Sequence, residues 1–118
     1  MIRLLLVDDQ PIVRQGLCMR LMLEPDITVV GEASSGEQAL VLVESLAPDI
    51  VLMDVEMPAM GGISQLIRLI ICVRHQQQRL LVFGLSEHNR YILEITRLSQ
   101  FIDIAGTETQ AVAAVHAT

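Results

Sequence analysis

The chain has 118 residues, about half of them hydrophobic, which suits one domain with a substantial core. Its formal net charge of −6 argues against direct nucleic-acid binding by this segment, because phosphate contacts require a basic face. No apolar stretch reaches the roughly 20 residues that span a bilayer, and no signal peptide opens the chain. We therefore expect a cytoplasmic protein without membrane attachment.

Apolar runs typical of buried strands alternate with segments of helical period along the chain. The strands are predicted at residues 2–7, 27–30, 49–54, 80–83 and 101–104. The helices are predicted at residues 11–24, from the capping residues Ser34 and Ser35 onward, after Gly62, and at residues 91–98 and 107–116. Five β-α units predict a single α/β doubly wound domain over residues 1–118. We expect a flavodoxin-like parallel sheet of order 2-1-3-4-5 with helices on both faces.

The third predicted helix is apolar almost all the way round, with Leu69, Cys72 and Val73 extending the stripe set by its isoleucines. Two explanations stay open: a surface for a partner subunit, as in a homodimer, or ordinary surface hydrophobicity. The cysteines, Cys18 and Cys72, lie in apolar helical contexts. They are interpreted as core residues in a reducing compartment rather than as a disulfide.

Acidic residues end two of the predicted strands: Asp8 and Asp9 follow the first, and Asp54 closes the third. In parallel sheets the functional crevice lies beyond the carboxyl ends of the strands, so these carboxylates should share one edge. Like charges repel there unless a cation lies between them. Oxygen ligands without a nearby His or Cys favour a hard ion, and the sequence therefore predicts a Mg²⁺ site.

Several segments, taken in order, resemble a response-regulator receiver domain. They are residues 7–11 (VDDQP), 30–33 (VGEA, expected to follow the second strand), 48–54 (PDIVLMD) and 57–62 (MPAMGG). The similarity is dense up to Gly62 and thins after Gly84. The subfamily that fits best is the one in which the receiver precedes a LuxR/NarL-type helix-turn-helix.

The resemblance implies a phosphorelay role in a two-component system that regulates transcription. Asp54 would be the phosphoacceptor for a sensor histidine kinase. Asp8, Asp9, Asp54 and the backbone carbonyl of Glu56 would hold Mg²⁺, which neutralises charge during phosphoryl transfer. The chain would be a phosphoprotein rather than an enzyme, and DNA would be bound only through an output domain absent from this chain.

The chain departs from the family at two positions that bind the phosphoryl group. Gly84 takes the place of the usual Ser or Thr, and Gly106, or Ile104 with a one-residue deletion, takes the place of the usual Lys. All eight basic residues are arginine, so no lysine exists to fill that role. Ser86 would need a rearrangement to substitute for the hydroxyl. Arg14 and Arg90 are the candidates for the missing cation, although a guanidinium needs more room than an ammonium.

Three other functions remain open. The first is a dimerising or docking module that works without phosphorylation, because the contacts that couple a phosphoryl group to a response are missing. The second is a small Mg²⁺-dependent phosphohydrolase, although the first strand lacks a second acid two residues beyond a nucleophile. The third is a flavin-binding protein, although Asp8 and Asp9 would repel phosphate from the first loop.

Overall fold

A computed structural model describes residues 1–54 and 63–115, with only the backbone described at 63–65. The strands are β1 (Ile2–Val7), β2 (Ile27–Ala33), β3 (Ile50–Asp54), β4 (Arg79–Phe83) and β5 (Asp103–Ile104). The helices are α1 (Pro11–Met22), α2 (Gly36–Leu46), α3 (Ile63–His75), α4 (Glu87–Ile95) and α5 (Glu108–Ala114). All paired strands are parallel and follow the order β2-β1-β3-β4-β5, which confirms the predicted fold.

The three central strands are apolar on both faces because each face is covered by helices. One face packs against α2, α3 and α4, through side chains such as Val43, Ile70 and Leu93. The opposite face packs against α1 and α5, through side chains such as Leu17 and Val112. The carboxyl edge of the sheet is thereby held between two hydrophobic layers, so residues that follow the strands occupy fixed positions.

Capping side chains set where several helices begin. Pro11 is the first residue of α1, where its missing N–H leaves no hydrogen bond unmade. The Ser35 hydroxyl accepts a hydrogen bond from the Gln38 N–H at 3.1 Å, as the predicted capping sequence requires. Thr107 does the same for α5, accepting from the Gln110 N–H at 3.2 Å.

The predicted second strand was too short. β2 continues to Ala33, so the segment at residues 30–33 belongs to the strand rather than following it. Gly31 and Glu32 pair with Leu5 and Leu6 after a register shift that leaves one extra residue in β2. This pairing, which single-residue strand propensities do not reveal, accounts for the longer strand.

The region from α4 to β5 was also predicted with wrong boundaries. α4 begins at Glu87 rather than Tyr91, because Ser86 caps it, and it ends at Ile95. The apolar residues after it form a short 3-10 helix at Leu98–Phe101, preceded by Arg97 in the left-handed conformation. β5 is therefore reduced to two residues, and Phe101 lies outside it, with its ring 3.8 Å from the guanidinium carbon of Arg74.

Helix α3 buries one stripe rather than its whole circumference. The fully buried residues are Leu66, Leu69, Ile70 and Val73, whereas Ile71 is 61% exposed. In α2, Ala39 and Val43 are the core side chains, whereas Leu40 and Leu46 are only half-buried.

The two cysteines are free thiols, each half-buried in a helix. Burial raises the pKa of the Cys18 thiol, and nearby Glu32 raises it further. Burial followed by Glu44 has the same effect on the pKa of Cys72. Both side chains are thus held in the protonated, unreactive form, as expected for packing residues. Among the described helices, none is both long and apolar enough to cross a membrane.

Candidate functional site

The carboxyl ends of β1 and β3 bring two of the predicted site acids to the same level of the sheet. Val7 pairs with Met53, so the next residues on the two strands are Asp8 and Asp54. On its other side Asp54 pairs with Phe83 of β4. Asp54 therefore lies between the strand that carries Asp8 and the strand that leads to Gly84, and its side chain is half-buried.

Asp8 is the buried carboxylate of this edge, with only 1% of its surface exposed. Its backbone N–H continues the sheet by donating to the Ala33 carbonyl at 3.0 Å. Its Oδ1 accepts a hydrogen bond from the Gln10 N–H at 2.9 Å. Its Oδ2 is buried and has no hydrogen-bond partner among the described residues. A buried carboxylate oxygen without a donor is costly, and a cation would satisfy it.

The electrostatic environment of Asp8 disfavours its charged form. Burial raises the pKa of this carboxyl, and the neighbouring charge of Asp9 raises it as well. The hydrogen bond from Gln10 and the charge of Arg14 act in the opposite direction and only partly offset the increase in pKa.

Arg14 is the basic residue that the structure brings to this edge. Its Nη1 donates to the backbone carbonyl of Asp8 at 2.8 Å, and its Nε donates to Oε1 of Glu32 at 3.1 Å. It therefore connects the ends of β1 and β2 and partly balances the acids. Arg90, the other candidate cation, is exposed on α4.

Within residues 1–54 and 63–115, no three His, Cys, Asp or Glu side chains lie close enough together to form a metal-binding group. Asp8, Asp9 and Asp54 share the edge without forming such a cluster. Glu56 and the loop at residues 57–62 lie outside the described residues, so the predicted set of metal ligands stays a prediction. Of the histidines, His75 and His88 are exposed, as expected, and His116 is outside the described residues.

At the end of β4, the chain carries a backbone conformation that favours glycine. Gly84 directly follows the residue that pairs with Asp54, and its φ is 78°. Residues with a Cβ are strained at this angle. Ser86, two residues further, caps α4 by accepting a hydrogen bond from the Asn89 N–H at 3.1 Å. Its hydroxyl is therefore already engaged in holding the helix.

At the end of β5, a neutral side chain closes the corresponding turn. Val82 pairs with Ile104, so Gly84 and Gly106 lie at the same level of the sheet. The Gly106 N–H donates to Oε1 of Gln110 at 3.0 Å, and a Cβ at Gly106 would come within 2.9 Å of that oxygen. The sequence did not lead us to expect this contact, although Thr107 and Gln110 have the spacing of a capping box.

A fold of order 2-1-3-4-5 with acids after β1 and at the end of β3 can be compared with known families. The response regulator receiver domain family matches residues 4–109, which is most of the chain. The chain belongs to this family. The resemblance found in the sequence is thereby confirmed.

Regulators of the NarL and LuxR type are among the similar proteins. The nitrate/nitrite response regulator NarL of Escherichia coli K12 is 43% identical over 90 residues, covering 76% of this chain and 41% of NarL. The transcriptional regulatory protein LiaR of Bacillus subtilis is 51% identical over 63 residues, covering 53% of this chain and 30% of LiaR. The receiver thus spans less than half the length of these relatives.

Solved receiver structures have the same architecture. The signal receiver domain of the putative response regulator NarL from Mycobacterium tuberculosis superimposes with a TM-score of 0.71 at 29% sequence identity. The match covers 97% of this chain and 92% of that one. The chain is therefore a receiver domain of the two-component response-regulator type, with homologues of the NarL/LuxR class.

Proposed function

We propose that this receiver accepts a phosphoryl group on Asp54 and that Asp8 and Asp9 help to hold the Mg²⁺ the transfer requires. The observation that carries the proposal is the register of β1 and β3, which sets half-buried Asp54 beside buried Asp8. An acceptor must be reachable by the donor, whereas a metal ligand is best held rigidly. Half-buried Asp54 therefore suits the role of acceptor, and buried Asp8 suits the role of metal ligand.

The residues fit a hard divalent cation on chemical grounds. Oδ2 of Asp8 is buried without a hydrogen-bond donor among the described residues, and carboxylate oxygens are the ligands that Mg²⁺ prefers. Asp8, Asp9, Asp54 and the backbone carbonyl of Glu56 form the proposed ligand set. When bound, the ion supplies charge neutralisation for the incoming phosphoryl group.

In the proposed transfer, a carboxylate oxygen of Asp54 forms a bond to the phosphorus of a phosphohistidine. The bond between phosphorus and the imidazole nitrogen breaks, and that nitrogen keeps the electron pair and takes up a proton. The product is an aspartyl phosphate on Asp54. Arg14 keeps the start of the β1–α1 turn in place through the Asp8 carbonyl while this occurs.

A second candidate function is a receiver whose output does not depend on phosphorylation. The specific observation in its favour is the positive φ of Gly84, which disfavours a Ser or Thr at that position, together with the capping role of Ser86. No hydroxyl or ammonium is available there to be drawn toward a phosphoryl group. A ligand shifts a conformational equilibrium only through contacts that differ between the two states. We therefore propose that the acidic site is retained while its coupling to the rest of the domain is weak.

The wider role is proposed from the family. The phosphodonor would be a sensor histidine kinase, and the whole protein would regulate transcription through an output domain joined to a receiver spanning residues 1–118. The chain would act as a phosphoprotein that accepts one group, not as an enzyme with turnover. A cytoplasmic location belongs to the same proposal, because the donor kinase uses cellular ATP.

Mass spectrometry after incubation with Mg²⁺ and a small phosphodonor such as acetyl phosphate tests the acceptor role. We expect the mass of one added phosphoryl group on the wild-type chain and none on Asp54→Asn. Asp26→Asn, a matched change at an exposed residue outside the site, should behave like wild type. An unmodified wild-type chain would rule out acetyl phosphate as a donor to Asp54 and favour the phosphorylation-independent function. Equal modification of Asp54→Asn would assign the acceptor to another residue.

A further inference from the structure

Helices α2 and α3 carry opposite charges on neighbouring surfaces. The ionisable residues of α2 are Glu37 and Glu44, and both are acidic and exposed. Apart from the Cys72 thiol, those of α3 are Arg68, Arg74 and His75, all basic in type and exposed. The two helices lie side by side on the same face of the sheet. The surface is thus divided lengthwise into an acidic half and a basic half.

A groove with an apolar lining runs between these two halves. It has a volume of about 410 Å³, and its apolar lining comes from Leu40, Ile71 and Cys72. Glu44 stands on the α2 side, and Arg68 stands on the α3 side. Ile71 is 61% exposed, whereas the adjacent Ile70 of the same helix is buried.

The opposite charges across the groove form no ion pair with any other described residue. Among the ion pairs formed by the described residues, none involves Glu44 or Arg68. Arg74 is the exception among the basic residues of α3, because its guanidinium stacks on the Phe101 ring. Glu44 and Arg68 thus remain available for a partner, in positions that flank an exposed apolar side chain.

We propose that the groove between α2 and α3 is a homodimer interface formed with a second copy of this chain. A two-fold axis that runs along the groove exchanges its two sides, so that Glu44 on the α2 side of one copy faces Arg68 on the α3 side of the other, and the reverse. The same rotation lays the exposed Ile71 of each copy over the α2 side of the other, where Leu40 lines the groove. A surface that is acidic on one side and basic on the other is self-complementary under this symmetry.

The size of the face makes the association weak. Helices of 11 and 13 residues are about 16 and 20 Å long, and two adjacent helices give a face roughly 20 Å wide. Such a face covers about 400 Å² on each copy, which is less than stable interfaces bury and matches a weak, transient association. We expect a dimer that forms at high micromolar protein concentration and dissociates as salt screens the two symmetry-related charge pairs.

Sedimentation equilibrium of the whole chain tests the interface with charge-reversal variants. Glu44→Arg and Arg68→Glu each place like charges opposite one another, and each should weaken dimerisation by roughly tenfold. The double variant exchanges the two charges and should restore wild-type association. Arg90→Glu, an equal change in charge on an exposed residue of α4, is the matched control and should dimerise like wild type.

Two results would overturn this interface. One is a wild-type chain that stays monomeric at millimolar concentration in about 0.02 M salt, where charge attraction is screened least. The other is a dimer that is insensitive to both single reversals, or one that the double variant fails to restore. None of these measurements involves phosphate or Mg²⁺, so they are independent of the function proposed for Asp54.

Discussion

The two halves of the sheet's carboxyl edge differ in what they offer a ligand. At β1 and β3 the edge carries Asp8, Asp9 and Asp54, with one buried carboxylate oxygen that no described donor satisfies. At β4 and β5 it carries Gly84 and Gly106, with the neighbouring polar groups already engaged. The strands that lead to both halves contribute buried side chains to the core. The difference is therefore one of chemistry rather than of folding, and it separates accepting a charged group from responding to it.

Among substitutions in the two halves of the edge, the largest change in the free energy of unfolding is expected at Asp8. Its pKa is raised above the ordinary value of 3.8, so the folded state binds the proton more tightly than the unfolded chain does. The raised pKa contributes its full stabilisation of the folded state at pH values below 3.8. This contribution is lost as the pH rises through the raised pKa of Asp8 in the folded state. Removing the charge with Asp8→Asn should therefore stabilise the metal-free protein at neutral pH by about 1–3 kcal/mol.

Urea unfolding in a chelating buffer across a range of pH checks this expectation. The advantage of Asp8→Asn should shrink toward acid pH and vanish where the wild-type carboxyl is protonated. Asp9→Asn, at the half-buried neighbour, should give a smaller change. Equal stability of Asp8→Asn and wild type at neutral pH would show that the Asp8 carboxylate is satisfied after all.

A smaller effect is expected at Gly84, in the other half of the edge. Its φ of 78° strains any residue with a Cβ, so Gly84→Ala should destabilise the domain by about 1–2 kcal/mol. Gly16 lies within α1, and, leaving aside its chain neighbours and the helix's own backbone, no atom of the described residues lies within 4 Å of the position that an added Cβ would take. Gly16→Ala should therefore stabilise the domain by about 0.5–1 kcal/mol. Thermal unfolding of the two variants compares them directly. A neutral or stabilising Gly84→Ala would contradict the backbone constraint assigned to the end of β4.

The fold and the acidic half of the site were largely predictable, because their signals are local. Branched apolar runs mark buried strands, and acids at the ends of two runs mark one edge of a parallel sheet. The end of β2 was not predictable, since Gly31 and Glu32 have low strand propensity and are held by pairing with β1. The start of α4 was missed because the residues after Ser86 are polar and show no apolar period.

The half of the site at the ends of β4 and β5 depends on contacts that cannot be predicted from single residues. The absence of lysine and the alignment of Gly84 and Gly106 predicted a weakened switch. The positive φ of Gly84 and the hydrogen bond from the Gly106 N–H to Gln110 required coordinates. Likewise, the sequence predicted three acids at one edge but not how close their side chains lie to one another, and among the described residues they form no group of three.

A Mg²⁺ titration followed by amide NMR tests the contrast between the two halves most directly. The Gln10 amide reports on the acidic half because it donates to Asp8, and the Asn89 amide reports on the β4 half because it donates to Ser86. We predict a saturable shift of the Gln10 signal that Asp8→Asn greatly weakens, with the Asn89 signal unmoved. The account would be contradicted if the Gln10 signal did not shift with Mg²⁺, or if the Asn89 signal shifted as far as the Gln10 signal.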